Sequence, residues 1–305
     1  MIAAALAGCA STRPAAVPPP LRPAAIAPQP RPAPPVASAE SQALAAYYAR
    51  VQADLLARGM LRTDGGGVDT PFTDTMLAEN FIRVALFDEY RRTAQGLVAQ
   101  ETVSRLRRWD QPVRVALRFG ASVPAAQRAT DTARIASYLA RLQAITGHPI
   151  GLSEAGANFF IHLVNEDERR ALGPEIAATL PDLTPPEVAG LVNLPRSTYC
   201  VVYALSQGNA ATYGRAFAVI RAEHPDLLRL SCLHEEIAQG LGLANDSPLA
   251  RPSIFNDDEE FALLTGQDEL MLRILYDPAL RPGMTAAEAR PVVRLLATRL
   301  TEGDS

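Results

Sequence analysis

Residues 231–246 read Ser-Cys-Leu-His-Glu-Glu-Ile-Ala-Gln-Gly-Leu-Gly-Leu-Ala-Asn-Asp, a stretch that gathers polar groups on an apolar frame. Side chains four residues apart share one face of a helix. A zinc-hydrolase helix uses that spacing for two imidazoles, with a glutamate beside the first as general base. Counted from His234 the pattern fails, because Ala238 stands four residues on. Counted from Glu235 it runs to completion with other side chains. Glu235 and Gln239 take two ligand positions, and Glu236 takes the base position. Gly242 follows at the end of the helix, with Asn245 and Asp246 just beyond it.

The spacing is that of a metal centre, but the donors are not. Zinc prefers imidazole and thiolate, so one carboxylate and two amide oxygens serve it poorly. A harder ion such as calcium would accept them if Asp246 or Asp257 joined in. A reading without an ion is a hydrogen-bonded network of Glu235, Gln239 and Asn245 that keeps a cleft in shape. Solvated side chains with no shared role are the third. The donor set favours the network and no cofactor, with zinc or calcium as the rival. Without a metal to acidify water, Glu236 loses the usual work of a general base.

Other reactive groups are few. The chain has four histidines, so a three-histidine centre would use nearly all of them. His234 projects about 100° from Glu235 and reads as a packing or surface residue. His148 follows Gly147 at a helix end, His162 lies in an alternating strand, and His224 precedes Pro225 in a loop. Asn256-Asp257-Asp258-Glu259-Glu260 reads as a solvated loop, with calcium or a basic partner as the sharper alternative. No G-x-S-x-G elbow, phosphate loop or dinucleotide fingerprint is present. A net charge of −4 argues against a dedicated nucleic-acid binder.

The elements that must hold these residues follow from periodicity. Asp226 to Leu243 is predicted as the helix that carries them, stopped by Gly242. Val113 to Phe119 alternates apolar residues with Arg114 and Arg118, a strand pattern. Pro124 to Ile145 is predicted as a long helix, with strands at Asn158 to Val164, Thr198 to Leu205 and Phe217 to Ala222. Thr184-Pro185-Pro186-Glu187 is a capping box, and Thr265 to Asp268 caps a helix that ends at Tyr276. Upstream, helices are predicted over Ser41 to Leu56 and about Asp74 to Arg107, with Gly96 a point of division. The fold class is α+β, a sheet with helices on it.

The complete frame from Glu235 to Asp246 resembles the long metzincin pattern with all three ligand histidines replaced. Ser253-Ile254-Phe255 stands where that family has its methionine turn, and Asp268 and Leu275-Tyr276 fit the helix that follows. The resemblance spans about residues 105–280. It implies a metzincin-like twisted mixed sheet with an active-site-type helix and a C-terminal helix, preceded by N-terminal helices. The whole pattern also resembles the DUF2927 family of proteobacterial lipoproteins. Glu235-Glu236, Gln239, Leu241-Gly242-Leu243 and Asn245-Asp246-Ser247 carry that likeness, with Leu275-Tyr276-Asp277-Pro278 and Arg281 to Thr285 downstream.

The ends of the chain point to a location. Leu6-Ala7-Gly8-Cys9 resembles a lipobox, whose cysteine becomes the lipidated first residue. Eight residues are too few for a signal peptide, so a start upstream is expected. Residues 12–37 hold 10 of the chain's 25 prolines and 7 alanines, a composition that stays extended and packs no core. The expected layout is a lipobox segment at 1–9, a tether at 10–38, an N-terminal helical region at 39–104, a metzincin-like domain at 105–290 and a C-terminal helix and tail at 291–305. With Cys9 lipidated, Cys200 and Cys232 remain. In an oxidising periplasm they form a disulfide, or else stay as two buried thiols. The reading is a lipid-anchored protein of the bacterial cell envelope facing the periplasm. Its cleft binds a peptide, protein or cell-wall partner, and no nucleic acid. The rivals are an atypical metal-dependent hydrolase using Glu236 and a purely structural envelope component.

Overall fold

The structure is a computed structural model that describes residues 1, 36–93, 96–206, 208, 210–256 and 258–302. Cys9, most of the Ala/Pro-rich stretch and Asp257 lie outside the described residues. Two helices come first, α1 (Ala39–Ala57) and α2 (Asp74–Ala85), then the strands β1 (Phe87–Thr93) and β2 (Gly96–Val103). The main sheet and its first crossover follow as β3 (Val113–Phe119), α3 (Ala125–Thr146), β4 (Ile150–Leu152) and β5 (Phe159–Val164). Three short helices, α4 (Glu166–Arg170), α5 (Gly173–Thr179) and α6 (Pro185–Val192), lead to β6 (Cys200–Ser206) and β7 (Tyr213–Arg221). The chain closes with α7 (Asp226–Leu241), α8 (Gly266–Tyr276) and α9 (Ala286–Glu302). Among the described residues no helix is long and apolar enough to cross a membrane.

The strand order is β4-β3-β5-β7-β6. All neighbours are parallel except β6 and β7, which run antiparallel with Cys200 opposite Ile220. The class is α+β, and β6 forms an edge of the sheet. β5 and β7 lie inside it and are covered on both faces, which is why Phe-Phe-Ile-His-Leu-Val is almost unbroken apolar sequence. One face packs α7 through Leu233, Ile237 and Leu241, together with residues of α2, α3, α8 and α9. Each such side chain contributes roughly 1.5–3 kcal/mol on burial. The other face packs Ile176 and Leu180 from the α5 region and Leu191 of α6 against Val201, Phe217 and Val219.

The helix expected from Asp74 to Arg107 ends at Ala85. Residues 87–103 fold back as an antiparallel hairpin, with Phe87 opposite Val103 and Thr93 opposite Gly96. Gly96 has a φ of 116°, which no helix interior contains, and the Thr93 hydroxyl donates to its carbonyl at 2.7 Å. The predicted capping boxes at Thr184 and Thr265 are present. β4, α4 and α5 lack sequence counterparts because three to seven residues are too short to display a period.

Candidate functional site

Helix α7 lies beside β6 and presents Glu235, Glu236 and Gln239 to a cavity of about 370 Å³. Its opposite wall is the segment Ser197 to Val202, and Glu89 of β1, Asp246 and Glu259 complete its acidic lining. A second cavity of about 150 Å³ shares Glu89, Val202 and Gln239 and continues along Tyr203 to Leu205, towards Asp88 and Arg107. Together they form one groove that follows the edge strand.

Four local features fix this groove. The disulfide Cys200–Cys232 joins the start of β6 to α7 across a Cα separation of 5.8 Å. The Trp109 indole N–H donates to the Gly240 carbonyl at 2.8 Å, and a Cβ on Gly240 would meet the Phe159 ring at 2.6 Å. Gly242 ends the helix at a φ of 129°, and a Cβ there would lie 2.4 Å from the Arg107 carbonyl oxygen. The turn at Ser253 to Phe255 is held by Asp268, which accepts from the Ser253 hydroxyl and from the Ile254 N–H at 3.1 Å. Burial raises Asp268 to about 6, while these donors pull it back down.

The Gln239 amide donates to Asp246 Oδ1 at 2.9 Å, so the residue that meets Gln239 is Asp246. Asn245 turns the other way. Its side-chain amide donates to the Arg83 carbonyl at 3.0 Å and to Glu101 Oε2 at 3.3 Å, and its backbone N–H donates to the Val84 carbonyl at 3.0 Å. The groove therefore collects Glu235, Glu236, Gln239 and Asp246, while Asn245 fastens the loop after α7 to α2 and the hairpin. Gly242 makes the turn its position calls for.

This donor set does not fit the zinc ion that the metzincin resemblance implies. Gln239 offers only a neutral amide oxygen, Asn245 faces away, and none of the four histidines lines the cavity. A closer trio is Cys200, Glu235 and Glu236, whose donor atoms lie within 4.8 Å of one another. The Cys200 sulfur is bonded to Cys232, however, so it offers no thiolate. It lies 4.0 Å from Glu235 Oε2 as a neighbour only.

Burial pushes the Glu236 carboxyl well above the usual range, and the charges of Glu89 and Asp246 push it further. Burial does the same to Glu235, followed by the charges of Asp246 and Glu236. Glu236 is 3% exposed, and its Oε2 has no hydrogen-bond partner. A carboxyl raised in the folded state keeps its proton after the unfolded chain has lost one. Its cost to stability therefore grows as pH climbs above 4.5, the ordinary glutamate value. Glu236→Gln keeps the shape and removes that titration. The variant is expected to match the wild type near pH ~4 and to exceed it progressively towards pH ~8, at up to about 1.4 kcal/mol per pH unit within the window. Urea melts at the two ends check this, and parallel stability curves would sink it.

The histidines are packing residues. His234 stacks on Tyr138 at a centroid distance of 3.9 Å, and burial lowers it to about 3. His162 stacks on Phe217 at 4.2 Å and is likewise lowered to about 3 by burial. His224 is buried edge-on to Tyr48, and His148 bonds the Gln111 carbonyl. Sequence reasoning missed Glu89 and Glu259 as cleft residues. Glu89 lay in a stretch read as helix and Glu259 in a run read as solvated loop, and only tertiary folding brings them to α7.

A profile described as "Protein of unknown function (DUF2927)" matches residues 74–295. The chain belongs to the DUF2927 family. The match runs from α2 into α9 and contains every groove residue named above, so the groove is part of the family's own domain. No curated protein and no solved structure matches the chain.

Proposed function

We propose that this DUF2927 member is a non-catalytic binding protein of the bacterial envelope, tethered to the membrane through Cys9, whose groove holds an extended peptide segment of a partner along β6. The observation that carries the reading is the continuous groove beside an edge strand. Residues 197–205 line it from end to end, and no described strand pairs with the outer edge of β6. An open edge offers backbone donors and acceptors to an incoming strand, while pockets beneath it select side chains. The frame from Glu235 to Asp246, with its glycine turn, supports descent of this groove from a metzincin-like peptidase cleft. The two amide side chains at Gln239 and Asn245, where a metal motif would carry imidazoles, weigh against a metal-activated water for Glu236 to deprotonate.

The test is a library of N-acetylated, C-amidated hexapeptides titrated into the isotope-labelled full chain. Amide shifts are expected to concentrate at residues 197–205 and at Gln239. Binding that moves other surfaces, or no binding across the library, would reject the groove as a peptide site.

A further inference from the structure

The inner end of the groove has a chemistry of its own. Glu235 and Glu236 are neighbours in sequence, yet both reach the same cavity, with carboxylate oxygens within 4.8 Å of each other. Glu236 is nine-tenths buried and its Oε2 accepts from nothing. That orphaned oxygen is the second observation beyond the cluster itself, because a buried acceptor without a donor costs roughly 1–3 kcal/mol. None of the described residues lining the cavity is Lys, Arg or His. The nearest guanidinium on the groove, Arg107, lies in the adjoining cavity and is paired with Asp88.

We propose that the Glu235–Glu236 pocket is a subsite for one basic side chain, an alkylammonium or guanidinium group of the bound segment. This rests on the peptide reading of the groove and specifies which residue that peptide must carry. The geometry favours an organic cation over a metal ion. Among the described residues the one close trio of donor atoms holds two carboxylates and a disulfide sulfur, and Asp246 accepts from Gln239. A bare divalent ion of the calcium type takes six or more oxygens. The cavity of about 370 Å³ instead has room for a side-chain terminus. A cation with several N–H donors supplies what Glu236 Oε2 lacks and offsets the repulsion between the two acids.

The experiment separates the subsite from the peptide reading by using small probes. n-Butylammonium, n-propylguanidinium and the neutral n-pentanol are titrated into the labelled full chain and into Glu235→Gln/Glu236→Gln. Because that double variant preserves side-chain shape, its thermal melt serves as the folding control. The cations are expected to bind in the millimolar range, with shifts at Val201, Val202 and Gln239. Affinity should fall at least tenfold in the double variant, and pentanol should not bind. Cation binding unchanged in the double variant overturns the proposal. So does Mn²⁺ or Ca²⁺ binding that excludes butylammonium at these residues. If the cations fail while hexapeptides still shift β6, the subsite is wrong and the groove reading stands. If the cations bind and hexapeptides do not, the subsite stands without the peptide reading.

Discussion

Glu166→Gln is expected to lower the unfolding free energy by about 3–5 kcal/mol. Glu166 of α4 stands between two guanidiniums that are each 1% exposed. It accepts from Arg169 at 2.5 Å through one oxygen and from Arg221 at 2.8 Å through the other. Arginine does not deprotonate in proteins, so the amide variant leaves two buried positive charges with no counter-charge. Glu223 close by does not replace it, since its Oε1 accepts from the Ser41 hydroxyl and the Glu166 N–H and its Oε2 has no hydrogen-bond partner. Burial alone would also raise Glu166, but Arg169 and Arg221 outweigh it and hold the carboxyl below the usual range. A lowered carboxyl stabilises the fold above the ordinary value of 4.5 and loses that contribution as pH falls through its folded value. The wild type should therefore show an acid limb that Glu166→Gln lacks. Glu40→Gln is the control, because the Arg170–Glu40 pair is 49% and 54% exposed and should matter by under about 1 kcal/mol. A Glu166→Gln midpoint within that same margin would refute the argument. The effect reaches the groove, since Arg221 also donates to the carbonyls of Leu194, Pro195 and Thr198, the segment that leads into its wall.

The second large effect belongs to the disulfide. Cys200→Ala/Cys232→Ala is expected to cost roughly 3–4 kcal/mol, because the bridge closes a loop with a sequence separation of 32 and removes that freedom from the unfolded chain. For a folded region of this size the melting point should fall by roughly 6–12 °C. Alanine is the right replacement at Cys232, which is buried and could not satisfy a hydroxyl. Thermal melts of oxidised wild type and double variant give the number. Alkylation of the unreduced protein gives a second check, with neither cysteine expected to react. Label found on Cys200 or Cys232 without reductant, or equal melting points, would show that the bridge does not hold the groove together.

The sequence was most legible where a signal is local. Glycine 242, the capping boxes at Thr184 and Thr265, and the apolar stripe of α7 each follow from a few adjacent residues, and the structure uses all of them. It was least legible where position depends on distant partners. Leu77, Phe81 and Val84 do belong to a helix, but the continuation through Phe87 needed knowledge of strand pairing with Val103. Counting residues placed Asn245 in the cleft, whereas the loop after Gly242 carries it to α2, because Arg83 and Val84 offer carbonyls there. Glu89 joins the groove through the same unforeseen hairpin.

The orientation of Asn245 also bears on how the site could be re-engineered. Placing histidines at 235, 239 and 245 would write the letters of a metal motif without its geometry. Position 245 fastens the loop after α7 to α2 and the hairpin, through one backbone and two side-chain bonds. An imidazole there would have to abandon those partners and swing the 242–246 loop across the groove, over the space that Asp246 and Gln239 share. Building a metal centre here would thus begin with rebuilding a loop, and only afterwards with choosing ligands.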